Sequence, residues 1–192
     1  DVERATVEQQ EAYYRRYYHP NNAILVIAGD FDTDRVLTKV GHFFGPIPAG
    51  PSPADMLLRE PPQRGERRLV VRWRSKVPRL AITYHAPEAA HPDSYALQVL
   101  AVVLAEGKAS RFYQRLVERE QTVTFVSADY GEAKDPTLFH IRSEARGNHS
   151  IDDIGASSYG ELTQVGSPGV TAGELHRAKH QVEALFMLSR ER

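Results

Sequence analysis

The sequence predicts an α+β fold, a mixed or antiparallel sheet with helices packed mainly on one face. Three observations carry this. Apolar residues make up 41% of the 192, enough to bury a sizeable core. After a proline-rich stretch the pattern runs strand, strand, helix, helix, and then repeats, which is not the strict alternation of a parallel sheet. Residues 67–74 alternate charged side chains with Leu69, Val71 and Trp73, as a half-exposed strand does.

The elements follow in order. Residues 2–18 read as a helix rich in Glu, Gln, Arg and Tyr, with Tyr13/Tyr17 and Tyr14/Tyr18 one turn apart. His19-Pro20-Asn21-Asn22 ends it, because proline excludes its predecessor from helical geometry and Asn favours turns. Residues 23–28 (AILVIA) are a continuous apolar run, expected as a strand covered on both faces. Asp32 or Thr33 then caps a short helix carrying Val36, Leu37, Val40, Phe43 and Phe44, stopped at Gly45-Pro46. Residues 46–66 form a linker: six of the twelve prolines fall between Pro46 and Pro62, with Met56-Leu57-Leu58 as an apolar stretch able to dock. Beyond it come strands over 67–74 and 80–85, an apolar helix over 92–105, and a helix capped by Ser110 and running to about Glu120. Strands at 122–129 and 137–145 pair around Tyr130-Gly131 and Asp135-Pro136. Helices over 151–165 and from Thr171 onward close the chain, the last with Thr171 and Glu174 as a capping box.

Composition removes several functions. Twenty-four Lys and Arg against twenty-five Asp and Glu leave a net charge of −1, without the basic excess that nucleic-acid phosphates call for. No apolar run approaches the roughly eighteen residues of a membrane span. With no cysteine, disulfide scaffolds, thiolate zinc sites and thiol nucleophiles are excluded, and periplasm and cytosol fit equally well. The chain opens on Asp1 and closes on Ser189-Arg190-Glu191-Arg192 within a helical pattern, which predicts a segment of a longer protein.

The residues that could carry chemistry are few. His176 and His180, with Glu183 three further on, share one face of the last helix, a spacing that can chelate zinc. Leu175, Ala178, Val182, Leu185 and Phe186 read as the core stripe, and Arg177 and Lys179 separate the histidines. No Glu is placed to activate a bound water, so a structural helix is expected. Asp30, Asp32 and Asp34 have the alternation of a calcium loop but put Arg35 where such a loop needs Gly. His85 and Glu88 fall at a strand end beside Pro87, a solvated position. Gly107 to Arg111 opens a helix without the glycine pattern of a phosphate loop. The residues alone therefore assign no catalytic, cofactor-binding or metal-ligating position.

The stretch from Tyr13 to Phe31 closely resembles a passage in the pitrilysin/insulinase-type zinc metallopeptidases, where a helix ending "YxPxN" leads into a strand "xxLVVxGD". Phe44-Gly45-Pro46-Ile47-Pro48 stands at that family's "FGxIP". His91 to Leu100 and Ser110 to Val117 resemble the opening helices of its second domain. The resemblance implies that residues 1–45 are the tail of a first, zinc-motif domain, 46–66 a linker, and 67–192 a second, C-terminally incomplete domain that binds no metal. The family's inverted motif H-x-x-E-H belongs upstream, so zinc is implied for the parent and none for this segment. His85 is followed by Glu88 but then by Ala89, not a second His.

Many family members carry an Arg and, seven residues later, a Tyr that help bind substrate near the metal. Aligning Ser110-Arg111 with the family's "SRL" puts those positions at Val117 and Thr124. The resemblance thus implies framework and chamber wall of a peptide-cleaving enzyme, with a partner subunit of the same family supplying the missing pair. A non-catalytic assembly subunit is the rival reading. Residues 23–28, cut from their own sheet, are expected to dock where the second domain's closing strand belongs.

Overall fold

The computed structural model describes residues 4–52 and 60–190, which leaves Met56, Leu57 and Leu58 of the linker outside the described residues. The chain divides into two compact units, Asp1–Leu69 and Val70–Arg192.

In the first unit, helix α1 (Val7–Tyr17) starts at a reciprocal cap. Thr6 Oγ1 accepts from the Gln9 amide at 3.3 Å, and the Thr6 amide donates to Gln9 Oε1 at 3.1 Å. The chain then makes a 3₁₀ turn, Pro20–Asn22. Asn21 ties this turn to Gly50 through two bonds, donating to the Gly50 carbonyl at 3.0 Å and accepting its amide at 2.9 Å. Helix α2 (Thr33–Phe44) is capped by Asp32, whose carboxylate accepts from the Arg35 amide at 2.8 Å. None of the described residues in this unit is buried. The tyrosines of α1 stack on one another instead, Tyr14 on Tyr18 with ring centroids 4.9 Å apart.

Two expected strands are absent. Residues 23–28 are extended but make no ladder, and Ile24 is 93% exposed. Residues 67–74 form no strand either, with Trp73 85% exposed. Their composition favours strand, but a strand exists only where a neighbour takes its amides and carbonyls, and no described residue offers these runs that neighbour.

The second unit holds β1 (Arg79–Ala86), α3 (Asp93–Ala105), a π-helical segment (Tyr113–Arg119), β2 (Val123–Tyr130), β3 (Thr137–Ala145), α4 (Ile151–Gly166) and α5 (Ala172–Arg190). The sheet is antiparallel throughout, in the order β1-β3-β2. Its period-2 alternation sends Ile82, Ala86, Val126, Tyr130, Phe139 and Ile141 to one face, where all are buried. Leu104 from α3, Phe112 and Leu116 from the π-helical region and Ile154 from α4 complete that core. Helices thus cover one face of an antiparallel sheet, the α+β class expected.

The segment after Ser110 differs from the α-helix expected. It is π-helical, shown by the Glu120 amide donating to the Arg115 carbonyl at 2.9 Å, five residues back. This register stacks Glu120 beneath Arg115, and their side chains meet at 2.8 Å. The Ser110 hydroxyl does not cap it but donates back to the Gly107 carbonyl at 2.7 Å. On α5 the expected core stripe is only partly buried: Ala178 is inside, whereas Leu185 and Phe186 are exposed.

Candidate functional site

Val117 and Thr124, the positions that the resemblance aligns with the family's Arg and Tyr, lie on the π-helical segment and on β2. Val117 is half-buried and packs against the core. Thr124 is exposed at an irregularity of the β2–β3 ladder, because Val123 pairs with Ala145 and Phe125 with Glu144, leaving Thr124 as the extra residue. Such a bulge re-aims one side chain out of the ladder and is common beside active sites. Here it presents only a hydroxyl, 3.5 Å from the Glu144 carbonyl. The backbone device is present without a phenol or guanidinium to use it. Gln121, just before, adopts φ 52°, a conformation that glycine would take without strain.

The helix entrance at Gly107–Arg111 is an anchor and not an anion site. Arg111 is bidentate to Glu174, with Nε to Oε1 at 2.7 Å and Nη2 to Oε2 at 2.9 Å, and its Nη2 also donates to the Gly169 carbonyl at 2.8 Å. Glu174 Oε2 accepts in addition from the Thr171 amide and hydroxyl, so the expected capping box is also a tertiary clamp. The Arg111 guanidinium, ahead of the Thr171 bonds, holds this carboxyl well below its ordinary 4.5, at about 2. Arg115 likewise joins Glu120 at 2.8 Å and Glu161 of α4 at 3.1 Å. Gly160 leaves room for it, since a Cβ there would meet Arg115 Nη1 at 3.1 Å. Chain separation hid both clamps from the sequence; complementary charge on adjacent helical patterns was the only signal.

The other candidates stay apart. Asp32 is spent on capping α2. His85 lies on β1 opposite Leu138, and the Glu88 carbonyl accepts the His91 amide in the loop beyond. The outer sheet face carries a row that sequence reasoning did not single out. Thr83 Oγ1 lies 3.3 Å from His140 Nδ1, Asp129 is the cross-strand neighbour of His140, and Arg142 pairs with Asp129 at 3.4 Å. His176 and His180 do meet, with Nε2 atoms 3.1 Å apart, and His180 Nδ1 is 3.3 Å from Glu183 Oε2. Among the described residues no group of three or more His, Cys, Asp or Glu is placed to hold a metal ion. No described helix is long and apolar enough to cross a membrane.

Residues 4–182 match the family described as the peptidase M16 inactive domain. The chain belongs to this family. A zinc protease of Helicobacter pylori, PqqE, is 24% identical over 203 residues, a match covering all of this chain and 44% of that protein. The crystal structure of a protease from Helicobacter pylori superposes with a TM-score of 0.86 at 24% identity, covering all of this chain and 47% of that one. A peptidase M16 inactive domain from Pseudomonas fluorescens gives 0.73 at 18% identity, over 94% of this chain and 43% of that one. The chain therefore spans less than half the length of these relatives. Zinc is named for the relative; this sequence holds no H-x-x-E-H, and no three-ligand group stands in for it among the described residues.

Proposed function

We propose that this inactive M16 domain forms framework and chamber wall in a zinc metallopeptidase that hydrolyses peptides, and contributes no catalytic group itself. The match of residues 4–182 to the inactive domain carries this reading. Val117 and Thr124 support it, since they put neither a guanidinium nor a phenol at the positions where, by the resemblance, other family members carry the Arg and Tyr that help bind substrate. In this reading residues 1–45 belong to the zinc-motif domain, 46–66 link, and 67–192 build the wall. The zinc ligands then lie in the parent outside these residues, and a second subunit of the same family supplies the missing Arg and Tyr.

The test is peptide hydrolysis by the parent, alone and mixed with candidate subunits of this family. Little activity alone, a gain on mixing, and loss of that gain when the partner's Arg or Tyr is replaced are expected. Full activity from the parent alone would refute the division of labour. No activity in any mixture, from a parent without H-x-x-E-H, would leave the assembly-subunit role.

A further inference from the structure

We propose that His176 and His180 form a two-nitrogen chelate for a borderline divalent transition-metal ion, Cu(II) ahead of Ni(II) and Zn(II). This site would be distinct from any peptidase zinc. The two residues stand four apart on α5, so their imidazoles leave one face of the helix a single turn apart. Their Nε2 atoms lie 3.1 Å apart, with the rings edge to face and centroids at 4.3 Å. For metal–nitrogen bonds of about 2.0–2.1 Å, that separation subtends roughly 95–102° at a shared ion, between the square-planar angle of about 90° and the tetrahedral angle of about 109°. The two nitrogens thus already stand at the separation of a chelate, and rotation of the exposed rings about χ2 is what remains to aim both lone pairs at one ion.

Glu183 adds a second element. Its Oε2 is 3.3 Å from His180 Nδ1. A carboxylate on that nitrogen holds the proton at Nδ1 and leaves Nε2 unprotonated, as partners behind metal-bound histidines do. In the metal-free pair His176 Nε2–H then donates to His180 Nε2. Loading an ion moves the His176 proton to Nδ1, so both Nε2 lone pairs reach the metal and no net proton is released from neutral rings. Glu183 therefore orients a ligand and is not the third ligand, which agrees with the lack of a three-ligand group among the described residues.

Access is open. Both histidines and Glu183 are exposed, and Ala172, Gly173 and Ala184 are the small residues one turn before and after the pair. Nothing lies within 4 Å of where a side chain on Gly173 would begin. With two protein ligands, and Arg177 and Lys179 as neighbouring cations, the bound ion exchanges with solvent and is stripped by a chelator. Imidazole donors favour Cu(II) among the divalent ions, by the Irving–Williams order.

The test is calorimetric titration of the whole, chelator-stripped chain with CuCl₂, NiCl₂ and ZnCl₂ near neutral pH. The chain has eight histidines, so single variants decide the location. One Cu(II) per chain is expected, weakened at least tenfold by His176→Ala and by His180→Ala, and several-fold by Glu183→Gln. Circular dichroism should show all three variants folded, since each replaced side chain is exposed. Paramagnetic resonance of the Cu(II) form should show two-nitrogen coupling in the wild type and its loss in either histidine variant. Absence of stoichiometric Cu(II) binding, or binding unchanged in His176→Ala, would overturn the proposal.

Discussion

Glu174 is the residue on which most of the polar architecture turns. Its carboxylate receives Arg111 from 63 residues away and two donors from Thr171, and both charged side chains are largely removed from solvent. Truncating either partner leaves the other's charge unmatched, at a cost of about 1.5–3 kcal/mol for hydrogen bonds to charged groups. The pH dependence has a definite sign. The folded-state pKa is depressed from 4.5 to about 2, so the contribution is complete above pH 4.5 and drains away as pH falls toward 2. Urea denaturation of the wild type and of Glu174→Gln should therefore differ by that amount at neutral pH, and the two should converge between pH 4.5 and 2. A constant difference across that range would mean that the carboxylate is not the source. The Thr171–Glu174 half of the clamp was legible, because a capping box is a local pattern. Arg111 was not, because no local pattern reports a partner so distant in the chain.

The individual elements show where sequence patterns succeed and where they fail. Strands β1, β2 and β3 and helices α2, α3 and α4 fall within a residue or two of their expected spans, since alternation, caps and turns are local features. The π-helical segment was read as α, because the apolar spacing through Phe112 and Leu116 fits either. What widens the turn is the five-residue bond from Glu120 to Arg115, reinforced by their ion pair. The apolar runs at 23–28 and 67–74 failed for a different reason: strand propensity says what a segment prefers, and pairing decides what it becomes. Among the described residues, every buried side chain of the core comes from Val70–Arg192. A chain shortened to residues 70–192 should therefore unfold cooperatively with nearly the same midpoint as the whole. Loss of the cooperative transition on this truncation would show that the first unit supplies part of the core after all. Of the candidate site, Val117 and Thr124 come from the family pattern alone. The bulge that presents Thr124 was not legible, because a bulge is a property of two paired strands and one sequence run cannot show it.

At the scale of the whole molecule, one unit is a sheet with helices packed on one face, and the described residues of the other include none that is buried. The outer sheet face is polar and self-neutralising, with Arg79 on Glu144 at 2.8 Å and Arg142 on Asp129 at 3.4 Å. On the proposed reading this M16 domain carries no peptide-cleaving chemistry, and incubating the purified, tag-free 192-residue chain with a peptide library and added zinc, while following new amino termini by mass spectrometry, checks it. No cleavage above the level of a heat-denatured control is predicted. Cleavage that disappears when zinc is chelated and returns when it is restored would contradict the account.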